Sequence, residues 1–449
     1  MIKRLYDENL YQFGAPQKSY WEASAADVDV SAPPLSASDS CDVAIIGGGY
    51  TGLSAALHLA RDYSTDVRVL EAGHIGWGAS GRNGGFCSMG GTGVHRHELV
   101  KMAGMDNTRD FYRSQVEGIE LVRELGDSEG IDYQAVGDAE LEVAHVPKAF
   151  TRLQEDYDLL TKELGIEARL FTADECRERF YDSSEQYGAL QTRPTFGLHP
   201  LRYCRGLANA AIRRGAKLHA RSEVIAWQKT DDGMHKLTTA GGTLSARKVI
   251  FSTNGFMPEQ LRPEFYGRTL PVISAIIVTR PLSDDELAAH SWLTKDPAIN
   301  SRRVLNYFRL LPDNRFLFGG RGHTTGHVKG EAETYRRLEA MLKKLWPAWS
   351  AVSIDYTWHG LICMTRKLYP AIGQLDDDQS VFYGYGYHGN GVNTATWTGK
   401  QLADCIGSGS SPTLPDIVHG TGGKFPLAGL RLKYLQAGIA LSSWLDRRG

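Results

Sequence analysis

Long apolar runs, paired cysteines and a dominant charge are all missing from this chain. Its 449 residues contain no stretch of 18 apolar positions, so no helix is expected to span a bilayer. Six cysteines (Cys41, Cys87, Cys176, Cys204, Cys363 and Cys405) lie far apart with no CxxC pair. That spacing argues against a structural zinc site and a disulfide framework, no metal is expected, and a reducing cytoplasm is the natural setting. Basic and acidic side chains number 50 and 52, leaving −2, so nothing points to nucleic acid or an anionic membrane as partner. Residues 1–8 carry charges without an apolar core, so no secretory signal is expected there. No internal repeat is visible, and 407–412 is the single low-complexity patch.

What is present is concentrated in glycine loops. Asp42-Val43-Ala44-Ile45-Ile46 reads as a short strand that runs into Gly47-Gly48-Gly49-Tyr50-Thr51-Gly52 and then a helix with Leu53, Ala56, Leu57 and Ala60 on one face. Gly47 permits the tight turn, Gly49 lets backbone approach a pyrophosphate, and Gly52 allows close packing of helix on strand. A second strand, 66–70, ends in Glu71, about 20 residues beyond Gly52, where an acid reaches ribose hydroxyls. A dinucleotide site near the N-terminus follows.

A second glycine-dense loop, Gly76 to Gly85, comes just past Glu71 and Ala72. Its amides suit a cofactor larger than NAD, with Ser80 and Arg82 available to the pyrophosphate and Asn83 nearer a ring. A third run, Gly384-Tyr385-Gly386-Tyr387-His388-Gly389, again sits between a strand and a helix. No acid-tipped strand follows it, so a second dinucleotide site is disfavoured. The better account is a helix from about Val392 whose positive end faces the reactive end of the cofactor, stabilising negative charge on a reduced flavin.

Along the rest of the chain, residues 1–40 read as a surface arm anchored by Tyr20-Trp21. The stretch 107–178 looks mostly helical, with Phe111, Gln115, Ile119, Val122 and Leu125 forming a stripe. Short strands are expected over 216–255, strands again over 270–321, a helix over 332–345, then strand 380–383 and helix 392–406. The class is α/β of mixed α+β character, a Rossmann-type nucleotide domain assembled from separated segments with a β-rich domain resting on it.

Taken with His199-Pro200, Ser252-Thr253-Asn254-Gly255, Tyr307-Phe308-Arg309 and Trp358-His359-Gly360, these loops resemble the D-amino-acid-oxidase superfamily of FAD-dependent amine oxidoreductases. The subgroup most resembled is that of gamma-glutamylputrescine oxidase, over nearly the whole chain from about Tyr20. The resemblance implies a discontinuous FAD domain (41–106, 191–260 and 355–449) and a substrate domain (107–190 and 261–354) whose sheet floors a pocket, after the 1–40 arm. It implies that Gly47, Gly49 and Gly52, with Tyr50 and Thr51, hold the pyrophosphate, and Glu71 with Ala72 the ribose. Gly78, Ala79, Ser80, Gly81, Arg82, Asn83, Gly84 and Gly85 would line the flavin. So would Gly386, Tyr387, His388, Gly389, Asn390, Gly391 and Val392. Val224 would offer backbone to the adenine, and Thr253, Asn254, Gly255 and Gly360 complete the site.

The reaction expected is oxidation of a C–N bond in a small amine or amino-acid-like substrate. Hydride passes to flavin N5, water hydrolyses the imine, and O2 is the acceptor, giving peroxide. Two alternatives stay open: a dehydrogenase passing electrons to a quinone or carrier, and a flavin-binding subunit without chemistry. Two departures bear on them. Leu317-Phe318-Gly319-Gly320-Arg321 lacks the lysine that several related oxidases place over the flavin, and Cys363 is three residues past Gly360, where some relatives attach FAD covalently. FAD is therefore expected to be non-covalent. Substrate-side candidates are Tyr307, Arg309 and His388, with Trp358 near them; Arg309 would clamp a substrate carboxylate, unless it serves a structural salt bridge. Trp77 and Phe86-Cys87-Ser88-Met89 read as core beside the pocket. The C-terminal apolar segment, 430–444 with Arg447-Arg448, reads as a helix packed on its own domain rather than on a membrane. Oligomeric state is not legible.

Overall fold

The computed structural model describes residues 4–15, 18–410 and 414–445. Val43 to Ile46 and Val67–Leu70 are all at most 4% exposed, because strands in a parallel sheet are covered on both faces. These two strands lie at the centre of an eight-stranded sheet ordered Ala371–Gln374, Val381–Tyr385, Thr243–Phe251, Asp39–Ile46, Val67–Leu70, Lys217–His219. From Val381–Tyr385 to Lys217–His219 every pairing is parallel, and the hairpin of Ala226–Lys229 and His235–Thr238 extends Thr243–Phe251. One face carries the helices Tyr50–Tyr63, Pro200–Arg213 and Gly391–Ser408, with Met105–Glu129 behind, in a core that joins Leu53, Leu57, Ile119, Val122, Leu207 and Leu402.

A second eight-stranded sheet runs Ile354–Thr365, Thr269–Pro281, Arg315–Arg321, Asn306–Leu310, Ala298–Asn300, Glu140–Val143, Ala189–Thr192, Ala168–Phe171. Its neighbours are antiparallel except Ala298–Asn300 beside Glu140–Val143. One face is sealed by an aromatic cluster around Trp292, Phe308, Phe316, Trp346 and Trp349 under the helix Val328–Leu345. The opposite face looks toward the first sheet's glycine loops.

Sequence patterning located Met105–Glu129, Thr269–Pro281, Val328–Leu345 and Gly391–Ser408 closely. It missed Glu140–Val143 and Ala168–Phe171, which lie inside the stretch read as helical. Both are short and carry charged residues, so pairing with distant strands, not local propensity, makes them strands. In the arm, Trp21 is 1% exposed and its indole donates to the Asn83 carbonyl at 2.9 Å. The C-terminal helix Arg431–Leu445 packs Leu435 against Leu270 and Val272, and Arg431 pairs with Glu259. Arg447 and Arg448 lie outside the described residues. Among the described residues no helix is long and apolar enough to cross a membrane.

The tail helix crosses the first helix at Gly399, where a Cβ would stand 2.4 Å from the Thr51 carbonyl oxygen and 2.7 Å from Ser54 Cβ. Replacing Gly399 by Val should force the two helices apart at a cost of about 1–3 kcal/mol. The thermal midpoint and the retained flavin should fall together; a variant as stable as the parent would contradict this packing.

Candidate active site

One cavity of about 1300 Å³ runs from the first glycine turn to the floor of the second sheet. At its nucleotide end Gly47 has φ +110°, and a Cβ on Gly52 would stand 2.0 Å from the Gly47 oxygen, so the turn closes tightly on itself. Gly48, Gly49, Tyr50 and Thr51 then line the cavity where the helix Tyr50–Tyr63 begins. Glu71 is held across the turn, its carboxylate accepting from Gly48 N at 2.7 Å and Gly73 N at 2.8 Å. Burial pushes its pKa up, and those backbone amides oppose the rise. Ala72, Val224, Thr253 and Asn254 continue the wall, and the Asn254 side chain accepts from Gly386 N at 2.9 Å.

The second glycine loop forms the next section. Ser80 Oγ accepts from Tyr50 N at 3.0 Å, which ties this loop to the first helix's N-terminus. Arg82 is 4% exposed; its Nε donates to the Trp77 carbonyl, its guanidinium lies 3.9 Å from the Trp77 ring centroid, and Nη2 is buried without a partner among the described residues. Burial lowers its pKa to about 9. Asn83 spends its amide inside the loop, donating to Ala79 O, Ser80 O and Tyr50 Oη and accepting from Gly85 N. Gly78, Ala79, Gly84 and Gly360 face the cavity, as do Trp77, Phe86, Ser88 and Met89, which sequence reasoning had set in the core. Cys87 is buried beneath them.

The far end of the cavity lies between the tail loop and the sheet floor. Tyr387, His388, Gly389, Asn390, Gly391 and Val392 line it, and the tail helix Gly391–Ser408 starts here. Two helix N-termini, each with partial positive charge, therefore open into one cavity. Tyr387 Oη lies 2.7 Å from Thr51 Oγ1 and locks them together. His388 has φ +50°, and burial lowers its pKa to about 4. On the floor, the Tyr307 ring lies where a Cβ on Gly319 would be, so its hydroxyl reaches Ser274 Oγ at 2.9 Å. Burial raises the Tyr307 pKa to about 12.

Arg309 is placed differently from Tyr307 although both sit on one strand face. It is 1% exposed, does not line the cavity, donates to the Leu198 carbonyl at 2.6 Å and lies 5.4 Å from the Trp21 ring. Gly52, Gly81, Gly85, Gly255 and Gly386 also stand behind the wall, and Trp358 donates its indole N–H to Arg82 O at 2.8 Å. Residues that sequence reasoning did not single out, among them Ser274, Glu140, Glu142 and Asn300, line the floor. They come from strands whose pairing only the fold reveals.

The donor set fits a dinucleotide carrying a ring system. Small residues at a helix start leave room for phosphate, Arg82 keeps Nη2 in reserve, and Thr253 Oγ1 is a buried polar atom without a partner among the described residues. The volume exceeds the roughly 300–1,000 Å³ of a drug-sized pocket, as cofactor plus substrate would need.

Fold and cavity together define a dinucleotide-dependent oxidoreductase. A family model described as FAD dependent oxidoreductase (DAO) matches residues 42–405, and the chain belongs to that family. FAD is accordingly its cofactor. Gamma-glutamylputrescine oxidoreductase of Escherichia coli K12 is 33% identical over 442 residues, covering 96% of this chain and 98% of the relative. A glycine oxidase of Bacillus licheniformis is 26% identical over 380 residues, 81% of this chain and 92% of its own. Among solved structures, glycine oxidase from Geobacillus kaustophilus superposes with a TM-score of 0.70 at 22% identity, covering 84% of this chain and 96% of that one. L-proline dehydrogenase from P. horikoshii gives 0.68 at 21%, with 84% and 96% covered. The two structural likenesses speak for the fold.

Two substitutions test the geometry. Gly49→Val puts side-chain atoms beside Ser80 Oγ, 2.8 Å from the new Cβ, in the space read as the pyrophosphate's. FAD affinity in reconstitution titrations should drop about tenfold or more, the scale of one lost charge-assisted hydrogen bond; unchanged affinity would move the phosphates elsewhere. Arg309→Met should lower the thermal midpoint while leaving KM for the amine within about twofold, because Arg309 holds Leu198 and Trp21 rather than the cavity. A KM rise of about 10²-fold would return Arg309 to the substrate.

Proposed function

We propose that this enzyme oxidises a C–N bond in a small amine, in the manner of gamma-glutamylputrescine oxidoreductase, with O2 as acceptor and peroxide as product. The observation that carries the reading is the continuity of one cavity from the glycine turn to Tyr307, in a chain that matches such a relative over nearly all of both lengths. Bound FAD would supply the two-electron acceptor. The protein's share is to hold the C–H bond in line and keep the amine neutral. Tyr307 stays protonated and His388 neutral through the middle pH range, so these two side chains would meet the substrate as a hydroxyl and a neutral imidazole. For the cofactor itself we keep Gly47 and Gly49 with pyrophosphate, Gly52 closing the turn behind them, Glu71 with ribose, Val224 with adenine, and Ser80, Arg82, Asn83 and Gly84 with Tyr387 to Val392 at the flavin, Gly81 and Gly386 shaping those loops from behind the wall.

FAD is proposed to be held without a covalent bond: burial raises the Cys363 thiol's pKa, leaving it a poor nucleophile. The first sheet with its helices would form the FAD domain and the second sheet the substrate domain. Six unpaired, buried cysteines support a cytoplasmic location. A dehydrogenase is the second reading, supported by Arg321 in place of a lysine on the cavity wall.

Anaerobic addition of amines to the yellow holoenzyme should bleach the flavin, and air should restore it with one peroxide per turnover. Bleaching without peroxide would select the dehydrogenase; no bleaching by any amine would overturn the proposal.

A further inference from the structure

The floor of the cavity carries two carboxylates that the reading above does not use. Along Glu140–Val143 the side chains alternate, Leu141 and Val143 entering the aromatic core while Glu140 and Glu142 face the cavity. Ile299 is paired with Tyr307 on one side and with Glu142 on the other, so the three residues form a row across one sheet face. Two strand steps put Glu142 about 10 Å from Tyr307, with Glu140 beside it on the same face.

The two acids differ in their partners. Glu142 is held by Arg96 at 2.9 Å, and the same arginine holds the fully buried Asp156. Glu140 is 7% exposed, and among the described residues no basic side chain pairs with it. Its close neighbour is the Ser88 hydroxyl, which hydrogen-bonds it and lies 3.2 Å from the Asn390 side-chain oxygen at the start of the tail helix. Of the other arginines lining the cavity near it, Arg302 pairs with Glu185 at 2.5 Å, Arg152 donates to the Ser301 carbonyl at 2.9 Å, and Arg303 lies beside them. Burial, with Glu142 adding to it, raises the Glu140 pKa to about 7 against the pull of Ser88 and Arg96. A carboxylate buried this deeply without a counter-ion is costly, and a cation arriving in the cavity relieves that cost.

We infer that Glu140 is the seat of a second positive charge on the substrate, so that the enzyme prefers amines carrying a cationic group remote from the bond oxidised. This rests on the amine-oxidising reading and adds the substrate's charge pattern to it. The rival explanation is a purely structural carboxyl bonded to Ser88.

The test uses holoenzyme and three chains of matched length: 1,5-diaminopentane, 1-aminohexane and 6-aminohexanoate. The native enzyme should favour the diamine over the monoamine by about tenfold or more in kcat/KM, mostly through KM, on the scale of one charged hydrogen bond. E140Q and E140L should both bring the diamine-to-monoamine ratio of kcat/KM to about one, and E140D should keep part of the preference. Perturbation of flavin absorbance by anaerobic titration reads binding directly, so it decides the point even if no amine is oxidised, an outcome that would sink the preceding proposal alone. Preference retained in both E140Q and E140L, or absent from the native enzyme in turnover and titration alike, overturns the inference.

Discussion

The crossing of the tail helix over the first helix governs the rest of the molecule. Gly399 meets the Thr51 carbonyl at a distance no side chain tolerates, and Ser54 Oγ donates to the Thr396 carbonyl at 2.7 Å beside it. From this contact the two helices run to starts at Tyr50 and Gly391, both on one cavity. A residue more than 340 positions downstream is thereby made part of the N-terminal nucleotide turn. The positive ends of both helices then open on the same cavity, where an anionic group would be stabilised from two sides.

Charge in the cavity is distributed with purpose. Tyr307 and His388 are themselves uncharged in the middle pH range, which suits an amine that must lose its proton before oxidation, and Arg321 lies on the same floor opposite Ser274. Fixed charge lies to either side: the Arg82 guanidinium toward the cofactor loop, and the Glu140–Glu142 face farther along the floor. Arg309, the cation that strand periodicity placed beside Tyr307, is spent on fastening Leu198 and the Trp21 arm.

Much of the cofactor end was legible in the sequence, because its signals are local. A strand, three glycines at fixed spacing and an acid about 20 residues on constrain a turn without reference to the rest of the chain. The second glycine loop and the tail glycines were legible for the same reason, and the family resemblance rests on them. The floor was not. Glu140 and Glu142 lie in a strand of four residues embedded among helices, and its place depends on parallel pairing with Ala298–Asn300, far away in sequence. Ser274 became a site residue only because Gly319 lets the Tyr307 ring reach across the sheet. Strand alternation gave Tyr307 and Arg309 the same face correctly, but it says nothing about where along that face the cavity ends.

The claim that a single continuous cavity accepts the whole of FAD is most directly tested by a crystal structure of the holoenzyme. The account predicts density with the adenosine between Glu71 and Val224, the pyrophosphate at Gly49 and Ser80, and the ring between Gly84 and the start of the tail helix, facing Tyr307. An isoalloxazine bound anywhere away from the Tyr307 floor, or an adenosine that does not approach Glu71, would contradict it.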